Sequence, residues 1–298
     1  MARETNRQDL YAEVTNRIIG EMEEGRLPWI QPWDSALCGC AMPHNAGTGR
    51  RYSGINVLIL WAAGVGGGFA SQRWLTFRQA QALGGTVRKG ERGTTICYAD
   101  RFTPRDEEAR AADEARKARQ IAFLKRFTVF NIDQCDGVPE EVTAPVGLPR
   151  CEPIPQVEAL LAASGADIRI GGDHAFYAPV LDTVQLPPQQ AFREPVNFYR
   201  TALHELGHWT GHPRRLARDQ KGAFGSAAYA KEELVAELCA AFTCASLGIH
   251  PTVRHADYIR SWLDVLRADC RAIFRAASHA SKAADYLLGF APDGEAQS

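Results

Sequence analysis

The sequence has no apolar run long enough to cross a bilayer. Its most apolar segment, residues 55–70, is too short and too rich in glycine for a span, and reads instead as a buried core segment. The opening residues, Met1-Ala2-Arg3-Glu4-Thr5-Asn6-Arg7, are charged and lead into no apolar core, which argues against a secretory signal. There is no Cys-x-x-Cys pair. The 8 cysteines sit at irregular spacings, so free thiols in a reducing cytoplasm are expected, and Cys38-Gly39-Cys40 by itself is weak ground for a metal or redox site. Charge of one sign is missing too: 34 Lys and Arg against 35 Asp and Glu leave a formal net charge of -1, which excludes a uniformly basic coat. Methionine is scarce, and the 3 present (Met1, Met22 and Met42) all lie near the start of the chain.

What is present is a chain of 298 residues, 45% hydrophobic and 23% charged, long enough for two domains with sizeable cores. The balanced charge hides a local patch. Between residues 44 and 99, Arg50, Arg51, Arg73, Arg78, Arg88, Lys89 and Arg92 face a single acid, Glu91. Leu10, Val14, Ile18, Ile19 and Met22 recur at helical spacing, which predicts a helix over 8–25. Strands are expected at 94–98 and 127–132, with turns at Gly84-Gly85 and Lys89-Gly90. Residues 104–120 are Ala-rich and charged with both signs, suiting a solvated helix or connection. Prolines 139, 145, 149, 153 and 155 mark a boundary. Beyond it come a helix over 157–164, a strand over 167–170, further strand over 175–184, and helices over 195–211, 229–247 and 255–288, the last broken at least once. These readings give an α+β chain of two domains, 1–136 and 157–298, joined by a Pro-rich linker at 137–156.

The chemistry concentrates in His204-Glu205-Leu206-Gly207-His208. On a helix, a spacing of four places both imidazoles on one face, one turn apart, where they can grip one cation. Glu205 would face a water on that cation and act as general base. Zinc with an open catalytic position needs a third protein ligand, and Glu232, Glu233 and Glu237 on the next helix are candidates, beside the core-facing Leu234, Val235, Leu238 and Phe242. A metzincin arrangement fails: the position of its third histidine is Arg214, and no methionine follows the motif. A structural metal site would more commonly close with cysteines. His212 remains a rival ligand. Tyr177, Tyr199 and Tyr229 are candidate oxyanion donors, and an edge strand at 175–179 could pair with an extended peptide, since Pro179 is tolerated only at an edge.

The second half resembles the thermolysin-like (gluzincin) pattern, which implies Glu233 as third ligand, Glu237 as the acid behind a ligand histidine, and a solvent-facing Glu232. Zinc is the expected cation, with manganese also acceptable to two histidines and a carboxylate.

Upstream, Trp29, Trp33, Tyr52, Trp61, Trp74, Phe77 and Tyr98 alternate with the arginines, as single-stranded nucleic acid binding requires, although Trp61 and Phe77 read as core. Arg51-Tyr52-Ser53-Gly54-Ile55-Asn56, Trp74-Leu75-Thr76-Phe77-Arg78-Gln79-Ala80, Lys89-Gly90-Glu91 and Val129-Phe130-Asn131-Ile132-Asp133-Gln134 are similar to the N-terminal domain of ArdC-type antirestriction proteins, a domain also found in TraC-type plasmid primases. Residues 204–212, Arg215-Leu216, Phe224-Gly225-Ser226, Tyr229-Ala230 and 232–237 look like the partner domain of that family. The resemblance implies a zincin-like metallopeptidase domain beside a domain that binds single-stranded DNA with little sequence preference and shields incoming conjugative plasmid DNA from restriction. The expected DNA-contacting residues are Trp29, Trp33, Arg50, Arg51, Tyr52, Asn56, Trp74, Arg78, Arg88 and Lys89. Any peptide or protein substrate stays open.

Overall fold

The computed structural model describes residues 2–24, 27, 29, 42–102, 121–139, 153–192, 194–223, 225–249 and 258–291. Trp33, Cys38, Cys40, residues 104–120 and most of the Pro-rich linker lie outside them.

The first helix, α1 (Ala2–Glu23), buries Leu10, Val14, Ile18 and Met22 at the predicted four-residue spacing. The apolar segment forms α2 (Ile55–Gly67), with Val57, Leu58, Leu60 and Trp61 almost wholly buried. Gly54, just before it, has φ +61, a conformation that costs glycine little, and its N–H donates to Ser281 Oγ at 2.8 Å. Strands β1 (His44–Asn45), β2 (Arg73–Thr76), β4 (Thr94–Phe102) and β5 (Ile121–Asn131) make a sheet in the order β1-β2-β5-β4. Only the β1–β2 pair is parallel. The short α3 (Phe77–Ala82) starts where Thr76 and Gln79 form a reciprocal capping box, and β3 (Thr86–Val87) pairs with β6 (Cys135–Asp136) beside it.

The second half begins with α4 (Pro153–Ser164), earlier than the predicted residue 157, because prolines are accommodated in a helix's first turn. A three-stranded sheet follows, β7 (Asp167–Ile170), β8 (Phe176–Ala178) and β9 (Thr183–Leu186), in the order β7-β9-β8. The single strand expected over 175–184 is thus a hairpin. Pro179 cannot continue the ladder, and Asp182 adopts φ +53 at the turn, a left-handed conformation that Asp tolerates better than most residues. Helices α5 (Pro195–Trp209), α6 (Ala227–Ser246), α7 (Ile259–Ala268) and α8 (Ala272–Leu288) complete the fold, and the predicted break in the last helical region lies between α7 and α8. Among the described residues no helix is long and apolar enough to cross a membrane.

The two halves share one hydrophobic core. Trp29 packs edge-on against Trp262 at 5.8 Å, and Trp61 against Phe242 at 5.6 Å. Thr15 Oγ1 donates to the Cys270 carbonyl at 2.6 Å. The helix that carries Glu232, Glu233 and Glu237 is therefore braced by the first half of the chain.

Candidate metal centre

Helix α5 presents Tyr199, Ala202, Leu203 and Leu206 to the core, and the same burial carries His204 and Glu205 inward. Helix α6 starts at Ser226, whose side chain accepts from Tyr229 N at 3.1 Å. The two helices meet at Gly207, where an added methyl carbon would sit 3.2 Å from Ala236 Cα and 3.3 Å from Ala236 O. That close approach brings Glu233 within reach of both imidazoles.

His204 Nε2 lies 3.5 Å from Glu233 Oε2, and His208 Nε2 lies 3.3 Å from Glu233 Oε1. One ligand atom from each of the three residues falls within 4.8 Å of the others. Each remaining ring nitrogen faces its own carboxylate: His204 Nδ1 is 3.4 Å from Glu237, and His208 Nδ1 is 3.4 Å from Glu232. Such contacts fix ring orientation and leave both Nε2 atoms turned toward Glu233.

The electrostatics fit a cation. Burial alone would lower the His204 pKa, but Glu233 and Glu237 outweigh it and hold it at about 10. In His208 burial is outweighed by Glu232 and Glu233, giving about 9. Glu233, despite its burial, is driven far below the usual carboxylate range by the two imidazoles. The cluster thus gathers positive charge as protons, and a divalent ion would displace them.

Glu232 is not solvent-facing as expected. Its side chain is 11% exposed, and Arg218, itself 4% exposed, donates to it at 2.7 Å and 3.2 Å. Arg218 also donates to the Gly207 carbonyl at 2.6 Å and to Thr210 Oγ1 at 2.7 Å. Gln220 Nε2 bridges the His208 carbonyl and Glu232 at 2.7 Å and 3.1 Å. The pair with His208 and Arg218 overcomes burial and lowers the Glu232 pKa to about 2. Nothing in the spacing of Arg218 and Gln220, which lie in irregular chain beyond α5, signals these roles. His212 stands outside the donor cluster. The chain turns after Trp209 and carries its ring to within 3.9 Å of Asp182, and its Nδ1 accepts from Arg214 N at 3.2 Å.

A cavity of about 310 Å³ opens over the cluster, lined on one side by Phe176 and Tyr177 of the edge strand β8 and on the other by Tyr229 and Tyr258. Glu205 also lines it. Of the three candidate tyrosines, Tyr199 donates to Glu158 at 2.6 Å and Tyr177 to Asp182 at 2.8 Å. The Tyr229 hydroxyl lies 3.2 Å from that of Tyr258, and its pKa is raised by burial, by Tyr258 and by nearby Glu233.

Comparison with known proteins gives this geometry a family. Residues 155–279 match the model of a zincin-like metallopeptidase domain, and residues 8–130 match that of the N-terminal domain of anti-restriction factor ArdC. The crystal structure of the antirestriction ArdC protein of plasmid R388 in metal-free form aligns with TM-score 0.79 at 40% identity, covering 95% of this chain and 97% of that one. The chain belongs to the ArdC family of antirestriction proteins. The Mn(II)-bound form of R388 ArdC aligns equally well, at 39% identity with TM-score 0.79, over 96% of this chain and 100% of that one. The y4eC protein of Sinorhizobium fredii is 45% identical over 94% of this chain and 91% of its own length. A DNA primase TraC of Escherichia coli is 41% identical over 95% of this chain, which spans 27% of that larger protein.

In the ArdC-type N-terminal domain the expected DNA-contacting residues separate by burial. Trp29 and Trp74 are 1% and 0% exposed and pack in the core, so neither offers a ring face to a base. The Asn56 amide is engaged by the backbone of Cys97, donating to its O at 2.7 Å and accepting from its N at 2.8 Å. Tyr52 is half-buried, with its hydroxyl 3.5 Å from Asn45 Nδ2. Arg50, Arg51, Arg78, Arg88 and Lys89 are exposed, and Arg88 is tied to Glu91 at 3.0 Å and Asp136 at 3.4 Å. Phe77, expected in the core, is 47% exposed, alongside Tyr98 at 48% and Phe127 at 44%.

Proposed function

We propose that this protein binds single-stranded DNA with little sequence preference in the cytoplasm and protects incoming conjugative plasmid DNA from restriction. Its second half would carry a metal-dependent peptidase-type site. The observation that carries this reading is near-full-length similarity to an antirestriction protein, combined with a buried His204–His208–Glu233 cluster under an open cavity. The kinship with a TraC primase adds weight to DNA as the ligand of the first half.

His204, His208 and Glu233 would hold one divalent ion, zinc or the manganese found in R388 ArdC, and that ion supplies Lewis-acid polarisation of a carbonyl and of water. Glu205, on the cavity wall beside the first histidine, takes the proton of an attacking water and later returns it to the departing amine. Glu237 and Glu232 keep the imidazoles in the tautomer whose Nε2 lone pairs face inward. The Tyr229 hydroxyl, kept protonated by its surroundings, donates a hydrogen bond to a developing oxyanion. Strand β8 offers its free edge to an extended peptide.

The test is plasmid transfer into restricting and non-restricting recipients, with the protein present or absent. Protection only in the restricting recipient is expected, and equal transfer with and without the protein would remove the proposal. Glu205→Gln separates two forms of it. Protection that survives the substitution identifies a DNA shield, whereas loss of protection with DNA binding intact identifies proteolysis of a DNA-associated protein.

A further inference from the structure

The sheet of the first half carries a row that lies outside the large shared core, with Leu75 buried instead in a small second cluster beside Ala80 and Ile132. In register, Leu75 lies opposite Phe130, and Thr76 and Thr94 both lie opposite Val129, so Gly93 falls beside Phe130 on the far strand. On the near side Ala46 N bonds to Trp74 O at 3.0 Å, placing the 46–50 turn next to Leu75. That turn is fixed: Asn45 and Gln79 exchange amide hydrogen bonds at 3.0 Å and 3.1 Å, and Gly47 N and Thr48 N both donate to Asn45 Oδ1.

Two aromatic rings stand on this row. Phe77 is 47% exposed and meets the half-buried Phe130 edge-to-face at 6.4 Å. Gly93 lies so close that a methyl there would sit 2.4 Å from Thr128 Cγ2 and 3.0 Å from Phe130 Cε1. Any larger residue would crowd that ring.

Exposed arginines flank the rings: Arg50 and Arg51 at one sheet edge, Arg78 beside Phe77, and Arg92 beside Gly93. Among the described residues none of the four has an acidic partner, since the nearby Glu91 and Asp136 are taken up by Arg88. The other exposed aromatic pair, Tyr98 and Phe127 at 6.0 Å, lies near Arg126, which is bound to Glu13 at 3.0 Å.

We propose that the row from the 46–51 turn through Phe77 and Phe130 to Arg92 is the track for single-stranded DNA. Bases stack on the two phenylalanines, and phosphates follow Arg50, Arg51, Arg78 and Arg92. This rests on the single-stranded DNA reading above and names its site. An exposed ring can stack only on an unpaired base, which selects against duplex. Guanidinium forks without an acidic partner among the described residues favour a polyanion whose phosphates offer two oxygens to each fork.

The test uses the full chain, a fluorescein-labelled oligothymidine and fluorescence anisotropy across a salt series, with thermal melts to confirm folding. Phe77→Ala and Phe77→Leu should each weaken binding roughly 5- to 150-fold. Phe77→Trp, which keeps a stacking face, should bind at least as tightly as the parent. Arg78→Ala and Arg92→Ala should each make the log–log salt dependence shallower by about 0.7. Tyr98→Ala should leave binding unchanged. Tight parental binding that Phe77→Leu, Arg78→Ala and Arg92→Ala all leave intact would overturn the track while sparing the DNA reading. Absence of parental binding would overturn both.

Discussion

Replacing Arg218 by methionine tests how the candidate metal centre is braced. The substitution keeps an unbranched, though shorter, side chain and removes the charge and the donors. Arg218 is 4% exposed and serves Glu232, the Gly207 carbonyl and Thr210 Oγ1 at once. Its loss would strand the Glu232 carboxylate, 11% exposed, with only Gln220 and His208 as partners. Breaking a buried ion pair from one side costs about 3–5 kcal/mol, and the two surviving contacts favour the lower end of that range. For a chain of this size, with about 2 °C of Tm per kcal/mol, the melting temperature should fall by roughly 6 °C. The assay is circular dichroism melting with a chelator present, so that metal binding does not mask the loss. Adding Glu232→Gln to Arg218→Met removes the stranded charge and should recover much of the stability. A drop under about 1 kcal/mol, or a double variant as unstable as the sum of the singles, would refute the bracing role.

Three other outcomes follow from the same geometry. Gly207→Ala should push α5 from α6, cost about 1–3 kcal/mol and weaken metal affinity, measured by melting and by zinc titration; unchanged affinity would count against the helix contact as the positioning device. Glu237→Gln should lower metal affinity about 10- to 100-fold while the fold persists, because His204 loses the carboxylate that orients it, and an unaltered affinity would contradict that role. Trp61→Ala should cost about 3–5 kcal/mol and lower one cooperative transition spanning both halves, since Trp61 joins α2 to α6 through Phe242; two separate melting steps with the second unshifted would argue against a shared core.

Much of the fold could be read from local pattern. The spacing of Leu10, Val14, Ile18 and Met22 encodes α1, and the four-residue interval from His204 to His208 encodes the inward face of α5, because both depend on helical period alone. What failed depended on tertiary burial. Trp29 and Trp74 look like stacking residues among arginines, yet the shared core absorbs them, while Phe77 reads as core and stands exposed because α3 turns its first residue outward. Glu232 looked solvent-facing because a helical pattern cannot foresee an arginine arriving from the irregular chain before α6. The joint core of the two halves was hidden for the same reason: Trp61 and Phe242 are far apart in sequence and each would be apolar in any core.

Anomalous diffraction from crystals soaked in zinc would reveal whether His204, His208 and Glu233 together hold one divalent cation. One peak is expected about 2.0–2.2 Å from His204 Nε2, His208 Nε2 and a Glu233 oxygen, lost in Glu233→Ala crystals. A peak coordinated by His212 or Glu237 in place of Glu233, or no peak at saturating zinc, would contradict that ligand set.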